Sequence, residues 1–217
     1  MAARKMQIDF VSDVVCPWCA VGLASLETAL KQLDGEIAAE LSFQPFELNP
    51  DMAPEGEDRD EHLAKKYGRS KEDFAAAREN IRQRAAAVGF TMNAQDRIYN
   101  TFDAHRLLHW AGETAKPKQA ALKHALLQAY FTDGLNIADP DVLAAKATEA
   151  GLDAKEARAI LASDRYADAV RQEEQAWLAA GINSVPAIVV DRKYLISGGQ
   201  PPEVFEAYLR DMAKREN

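Results

Sequence analysis

Met6, Ile8 and Phe10 alternate with Gln7 and Asp9, and Val11 follows. That period of two predicts a strand with at least one buried face. After a turn over Asp13 to Cys16 the period changes. Cys19, Leu23, Leu26, Leu30 and Leu33 recur at the spacing of one helical face, from Pro17 to a stop at Asp34-Gly35. Pro17 suits the first helical position, where its missing N–H would have had no partner. Ile37, Ala39, Leu41 and Phe43 then alternate again. Residues 6 to 48 therefore read strand–helix–strand, a βαβ unit with parallel strands.

From Asp51 onward the strand pattern is lost until Ala187. Ser70-Lys71-Glu72-Asp73 resembles a capping box, and Phe74, Ala77, Ile81, Ala85 and Val88 share one face up to Gly89. Further helices are expected from Thr101 to Ala111, Pro117 to Thr132, Asp139-Pro140 to Gly151, a short one capped by Asp153, and Asp164 to Ala180. "AIVV" and "YLIS" flank Asp191-Arg192-Lys193 as an antiparallel hairpin, and Pro201-Pro202 opens a last helix. The expected class is α/β. Residues 1–50 and 164–217 would share one sheet, and residues 51–163 would form an inserted all-helical subdomain.

The chain has 217 residues, 47% of them hydrophobic, enough for a sizeable core. Its net charge of −8 repels phosphates and anionic lipid, so neither nucleic acid nor a membrane is an expected partner. "MAARKMQIDF" has no apolar run behind its basic residues, which points to the cytoplasm as the compartment. There a paired CxxC is more often catalytic or metal-binding than structural. A monomer and a homodimer are both compatible with the composition.

The only two cysteines are Cys16 and Cys19, with Pro17 and Trp18 between them. At the helix N-cap the Cys16 sulfur would face free N–H groups and the positive dipole end, which favours thiolate. Cys19 lies one turn deeper on the same face, a resolving thiol within reach of Cys16. Two readings compete. A zinc site needs about four ligands, so His105 and His109 would have to complete it. Alternatively, both are ordinary helix cysteines.

The motifs "CPWC", "FQPFELNP", "NTFDAHRLLHWA", "AYFTDGLNI" and "GINSVPAIVVDRKYLISGGQ", in this order, resemble the FrnE-type branch of DsbA-like thioredoxin-fold oxidoreductases. The likeness extends over nearly the whole chain. Kappa-class glutathione transferases and 2-hydroxychromene-2-carboxylate isomerases share that fold but carry serine where Cys16 stands. The resemblance implies a thioredoxin fold with a helical insertion and dithiol–disulfide exchange with a protein or a small thiol such as glutathione. It implies no metal and no bound cofactor beyond the cysteine pair. Pro186 matches the family's cis-proline, with Val185 before it contacting substrate. Pro17-Trp18 resembles the glutaredoxin pair and implies a potential nearer about −200 to −230 mV. The rival functions are a glutathione-dependent isomerase or transferase and a thioredoxin-like chaperone.

His105 either lines the pocket over Cys16 or is a partly buried histidine of a capped helix. His62 and His124 read as surface residues, Trp18 as exposed beside the cysteines, and Trp110 and Trp177 as core. "EGEDRDEHLAKKYGRSKED" reads as a solvated surface.

Overall fold

The computed structural model describes residues 3–68, 70–114 and 116–215. β1 (Arg4–Ser12) leads into α1 (Pro17–Gln32) and returns as β2 (Ile37–Pro45). β3 (Glu57–Asp58), α2 (Arg59–Tyr67), α3 (Lys71–Ala87), β4 (Arg97–Ile98), α4 (Phe102–Thr114) and α5 (Lys116–Phe131) follow. Then come α6 (Pro140–Glu149), α7 (Ala154–Leu161), α8 (Ala167–Ala179), β5 (Ala187–Val190), β6 (Tyr194–Ser197) and α9 (Pro202–Arg215).

The main sheet runs β2-β1-β5-β6. β1 pairs parallel with β2 from Arg4↔Ile37 to Ser12↔Pro45, and antiparallel with β5, Phe10 facing Ile188. β5 and β6 form the expected hairpin, with Asp191 and Arg192 at positive φ. This is the thioredoxin arrangement, with the helices between β2 and β5 inserted into it. Central β1 is covered on both sides, which is why Ile8, Phe10 and Val11 are all at 0% exposure. One apolar core joins Phe10, Leu23 and Leu26 of the sheet unit to Leu107, Leu122 and Leu126 of the insertion.

The middle of the chain departs from the sequence reading in two places. β3 and β4 form a two-residue antiparallel pair, too short to leave a period. The charged stretch around residues 55–73, expected as a solvated surface, has no buried residue in its helix α2, but one side of that helix lines a cavity. The Asp58 side chain accepts from the Glu61 N–H, and Gly68 closes the helix at φ 64. No α2 residue is fully buried, so there was no apolar stripe to detect. The Ser70 capping box does form, reciprocally with Asp73. α8 begins at Ala167 rather than Asp164, because Tyr166 before it takes a left-handed φ of 64.

Candidate active site

Cys16 occupies the N-cap of α1 in extended conformation (φ −84, ψ 114), with Pro17 in the first turn. The Cys19 and Ala20 amides bond to the Cys16 carbonyl at 3.0 and 3.3 Å, which starts the helix. Both cysteines are free thiols, Cys16 at 4% exposure and Cys19 at 0%. Burial pushes the Cys19 thiol well above its ordinary range, and the adjacent Cys16 sulfur pushes it further. Lys123 and the Asp13 backbone act in the opposite sense. Burial thus favours the protonated form of the deeper thiol.

The Val185–Pro186 peptide is cis, and the Cys16 thiol donates to the Val185 carbonyl at 3.7 Å. The loop after β6 closes the other side. Gly199 lies against the backbone of Trp18, and Gly22 lies against Pro186 and Gly199. Gly199 is thus a packing residue beneath the Cys-Pro-Trp-Cys turn. Trp18 is half-buried, not exposed as expected, because the Arg84 guanidinium from α3 sits 5.0 Å from its ring centroid. The same Arg84 donates to the Gly199 carbonyl at 3.2 Å, so α3 grips both walls of the motif.

A cavity of about 840 Å³ opens over Cys16, Pro17, Trp18 and Val185, roofed by α2 and α3. His62 belongs to this cavity and is no simple surface histidine. Its ring nitrogens stand 2.7 Å from Glu57 Oε2 and 3.0 Å from Asn49 Oδ1. His124 is exposed, as expected, beside Glu27. Trp110 is core, whereas Trp177 only packs at the edge of a small second cluster.

His105 lies elsewhere. It is 2% exposed and does not line the cavity over Cys16. Its Nε2 stands 3.4 Å from Asp13 Oδ1 in poor alignment, and neither atom has a hydrogen-bond partner. Asp13 Oδ2 accepts the Leu48 N–H at 2.8 Å, which ties the segment after β2 to the turn before Cys16. Burial raises the Asp13 pKa, but His105, the Leu48 amide and Lys123 outweigh it and leave the carboxyl below its ordinary range. Lys123, from α5, is 0% exposed; burial lowers its pKa against the pull of Cys19, Asp13 and Cys16. His105 and Lys123 also wall a second cavity of about 190 Å³ with His109, away from Cys16. His109 faces Glu113 at 3.4 Å and Glu173 at 3.3 Å, so neither histidine turns toward the cysteines to complete a Cys2His2 set. The neighbouring Arg106 is structural, donating to the Ile160 and Arg165 carbonyls at 2.5 and 2.8 Å.

Sequence reasoning did not find Asp13, Arg84 or Lys123. Asp13 sits in the turn before Cys16, where its spacing offered a weak cue. Nothing local marks the other two.

The description "DSBA-like thioredoxin domain" matches residues 7–210. The chain belongs to this family. A probable DsbA oxidoreductase from Streptomyces coelicolor is 38% identical, with a TM-score of 0.90 over 98% of this chain and 91% of that one. The uncharacterized protein YwbO of Bacillus subtilis (strain 168) is 29% identical over 97% of this chain and 99% of its own. The cytosolic disulfide reductase DsbM from Pseudomonas aeruginosa, with GSH, shares the fold at 18% identity and a TM-score of 0.59, over 96% of this chain and 99% of that one. Among the described residues of this DsbA-like protein, no helix is long and apolar enough to cross a membrane.

Proposed function

We propose that the protein is a thiol–disulfide oxidoreductase working through Cys16 and Cys19. The observation that carries this reading is their placement. Cys16 caps the N-terminus of α1, meets the Val185 carbonyl at 3.7 Å and opens on a large cavity, while Cys19 is sealed beneath it. The Cys16 thiolate attacks a substrate disulfide, one substrate sulfur leaves as thiolate, and a Cys16–substrate disulfide forms. Cys19, deprotonated, then attacks the Cys16 sulfur. The Cys16–Cys19 bond forms and the second substrate sulfur departs. The reverse sequence oxidises a dithiol.

Val185 and Pro186 form the wall against which the substrate lies beside Cys16, and Pro17 and Trp18 form the floor of its approach. His105 acts through Asp13 rather than on substrate, since it lies outside the cavity. No metal or organic cofactor is required. With no further cysteines in the chain, an external thiol must recycle the pair. Glutathione is the proposed reductant, in line with the GSH that accompanies the DsbM relative.

The test is a redox titration in glutathione buffers, with acid quench, thiol alkylation and mass spectrometry. A reversible intramolecular Cys16–Cys19 disulfide is the expected result. A stable Cys16–glutathione adduct without that disulfide would reject the dithiol mechanism in favour of a glutathione-dependent one.

A further inference from the structure

Cys16 is 4% exposed, so a disulfide reaches it only by entering the cavity over it. At about 840 Å³ that space suits a ligand of drug-like size. A small disulfide can be enclosed there by α2 and α3, with its body surrounded on several sides. Away from the sulfur the wall is apolar and partly aromatic, formed by Leu63, Phe74, Ile81, Ile98 and Phe131.

The same cavity carries four cations, Arg59, Lys66, Arg78 and Arg82, against two carboxylates, Glu47 and Glu79, although the chain as a whole has a charge of −8. Glu79 pairs with Arg82, so those two charges cancel, and Glu47, which pairs with Arg171 from outside the cavity, is pushed up to about 7 by burial and by Glu174. Lys66 donates to neutral acceptors, the Leu48 carbonyl at 2.9 Å and Asn49 Oδ1 at 2.8 Å. Arg59 meets Asp60 at 3.3 Å, and that carboxylate also serves Arg78 at 3.0 Å. The Arg59 Nε–H is buried with no hydrogen-bond partner. A buried donor of this kind is expected to have an acceptor, which the protein itself does not supply here.

We propose that the substrate of this site is a small disulfide or thiol with an apolar, aromatic-sized body and a carboxylate, its body held under α2 and α3 and its anion held by Arg59 and Lys66. This rests on the exchange chemistry proposed above and names the molecule on which it acts. Glutathione has the carboxylates but no apolar body, and serves as the recycling thiol.

Two measurements test it. The first needs no redox chemistry: binding of 2-naphthoate and of neutral naphthalene-2-methanol to a Cys16→Ser/Cys19→Ser variant, by calorimetry. Naphthoate is expected to bind at least about tenfold more tightly, and Arg59→Gln/Lys66→Gln to remove that preference. Absence of binding, or a preference that survives the loss of both cations, overturns the inference and leaves the cysteine chemistry untouched. The second is the rate at which reduced wild-type protein attacks 5,5′-dithiobis(2-nitrobenzoate), oxidised glutathione and insulin, each relative to the free thiol of N-acetylcysteine. The aromatic anionic disulfide is expected to be favoured over both others by about tenfold or more. Equal or greater relative rates with insulin or oxidised glutathione overturn the proposed substrate class. No reaction with any disulfide, together with intact naphthoate binding, would refute the exchange chemistry and with it the substrate role.

Discussion

Gly199 lies so close to Trp18 that a β-carbon on it would stand 2.8 Å from the Trp18 carbonyl oxygen. The same β-carbon would be 3.4 Å from the Gly22 nitrogen. The loop after β6 thus reaches the first turn of α1 only because Gly199 has no side chain. Gly199→Ala is expected to destabilise the fold by about 1–3 kcal/mol, as overpacking does, and to slow thiol exchange by displacing the Cys-Pro-Trp-Cys turn. Denaturant unfolding and an alkylation-rate assay of Cys16 check both effects. An alanine variant of unchanged stability would show that the contact yields freely.

Arg84 joins the insertion to that turn through the Trp18 ring and the Gly199 carbonyl. Arg84→Ala removes a cation–π contact and a hydrogen bond to carbonyl, together worth about 1–2 kcal/mol. Trp18 is expected to become more accessible to a collisional quencher in the variant. Quenching identical to wild type would mean that α3 stays docked without it.

Lys123 should matter for the second chemical step more than for the first. The charge of Lys123 favours the Cys19 thiolate, against the burial that disfavours it. Lys123→Met keeps an unbranched side chain one atom shorter and removes the charge. Resolution of the Cys16 mixed disulfide is expected to slow by about tenfold or more, so that the adduct accumulates in non-reducing gels, while the initial attack is little changed. Cys19→Ser should trap the same adduct completely, and Cys16→Ser should abolish exchange. Unchanged resolution in Lys123→Met, at unchanged stability, would remove Lys123 from this role.

The Glu47 carboxyl is pushed from 4.5 up to about 7, first by burial and then by Glu174, while His105 and Arg171 pull it down. Between those values the folded protein keeps a proton that the unfolded chain has released. Stability from this group therefore falls as pH rises from about 4.5 to about 7. The full shift corresponds to at most about 3 kcal/mol. Glu47→Gln cannot titrate, so the stability difference between wild type and variant is expected to move against the wild type over that interval and to level off above it. Thermal or denaturant melts from pH 5 to 8 measure this. A constant difference would mean that Glu47 is ionised throughout.

The strand Met6–Val11, the helix opening at Pro17, the parallel return at Ile37 and the final hairpin were all legible in the sequence, because each is a periodic apolar face bounded by a strong breaker. The cysteine pair was legible for the same reason: a helix start is a local feature, and so is the depth of Cys19 on the apolar stripe. The charged α2 was not. With Leu63 and Tyr67 as its only large apolar residues, its pattern is that of a solvated chain, and it is held by the Asp58 cap and by its neighbours.

The tertiary structure alone decided which polar residues reach the cysteines. Lys123 lies on a helix whose pattern gives no sign that this lysine points into the core, and Arg84 lies far along the chain from Trp18. Conversely, His105 stood in a recognisable motif yet faces Asp13 and lies outside the cavity over Cys16. Periodicity records which face of an element is apolar. It carries no information about which element that face meets, and both the cavity over Cys16 and the charges behind Cys19 are made by elements meeting across the fold.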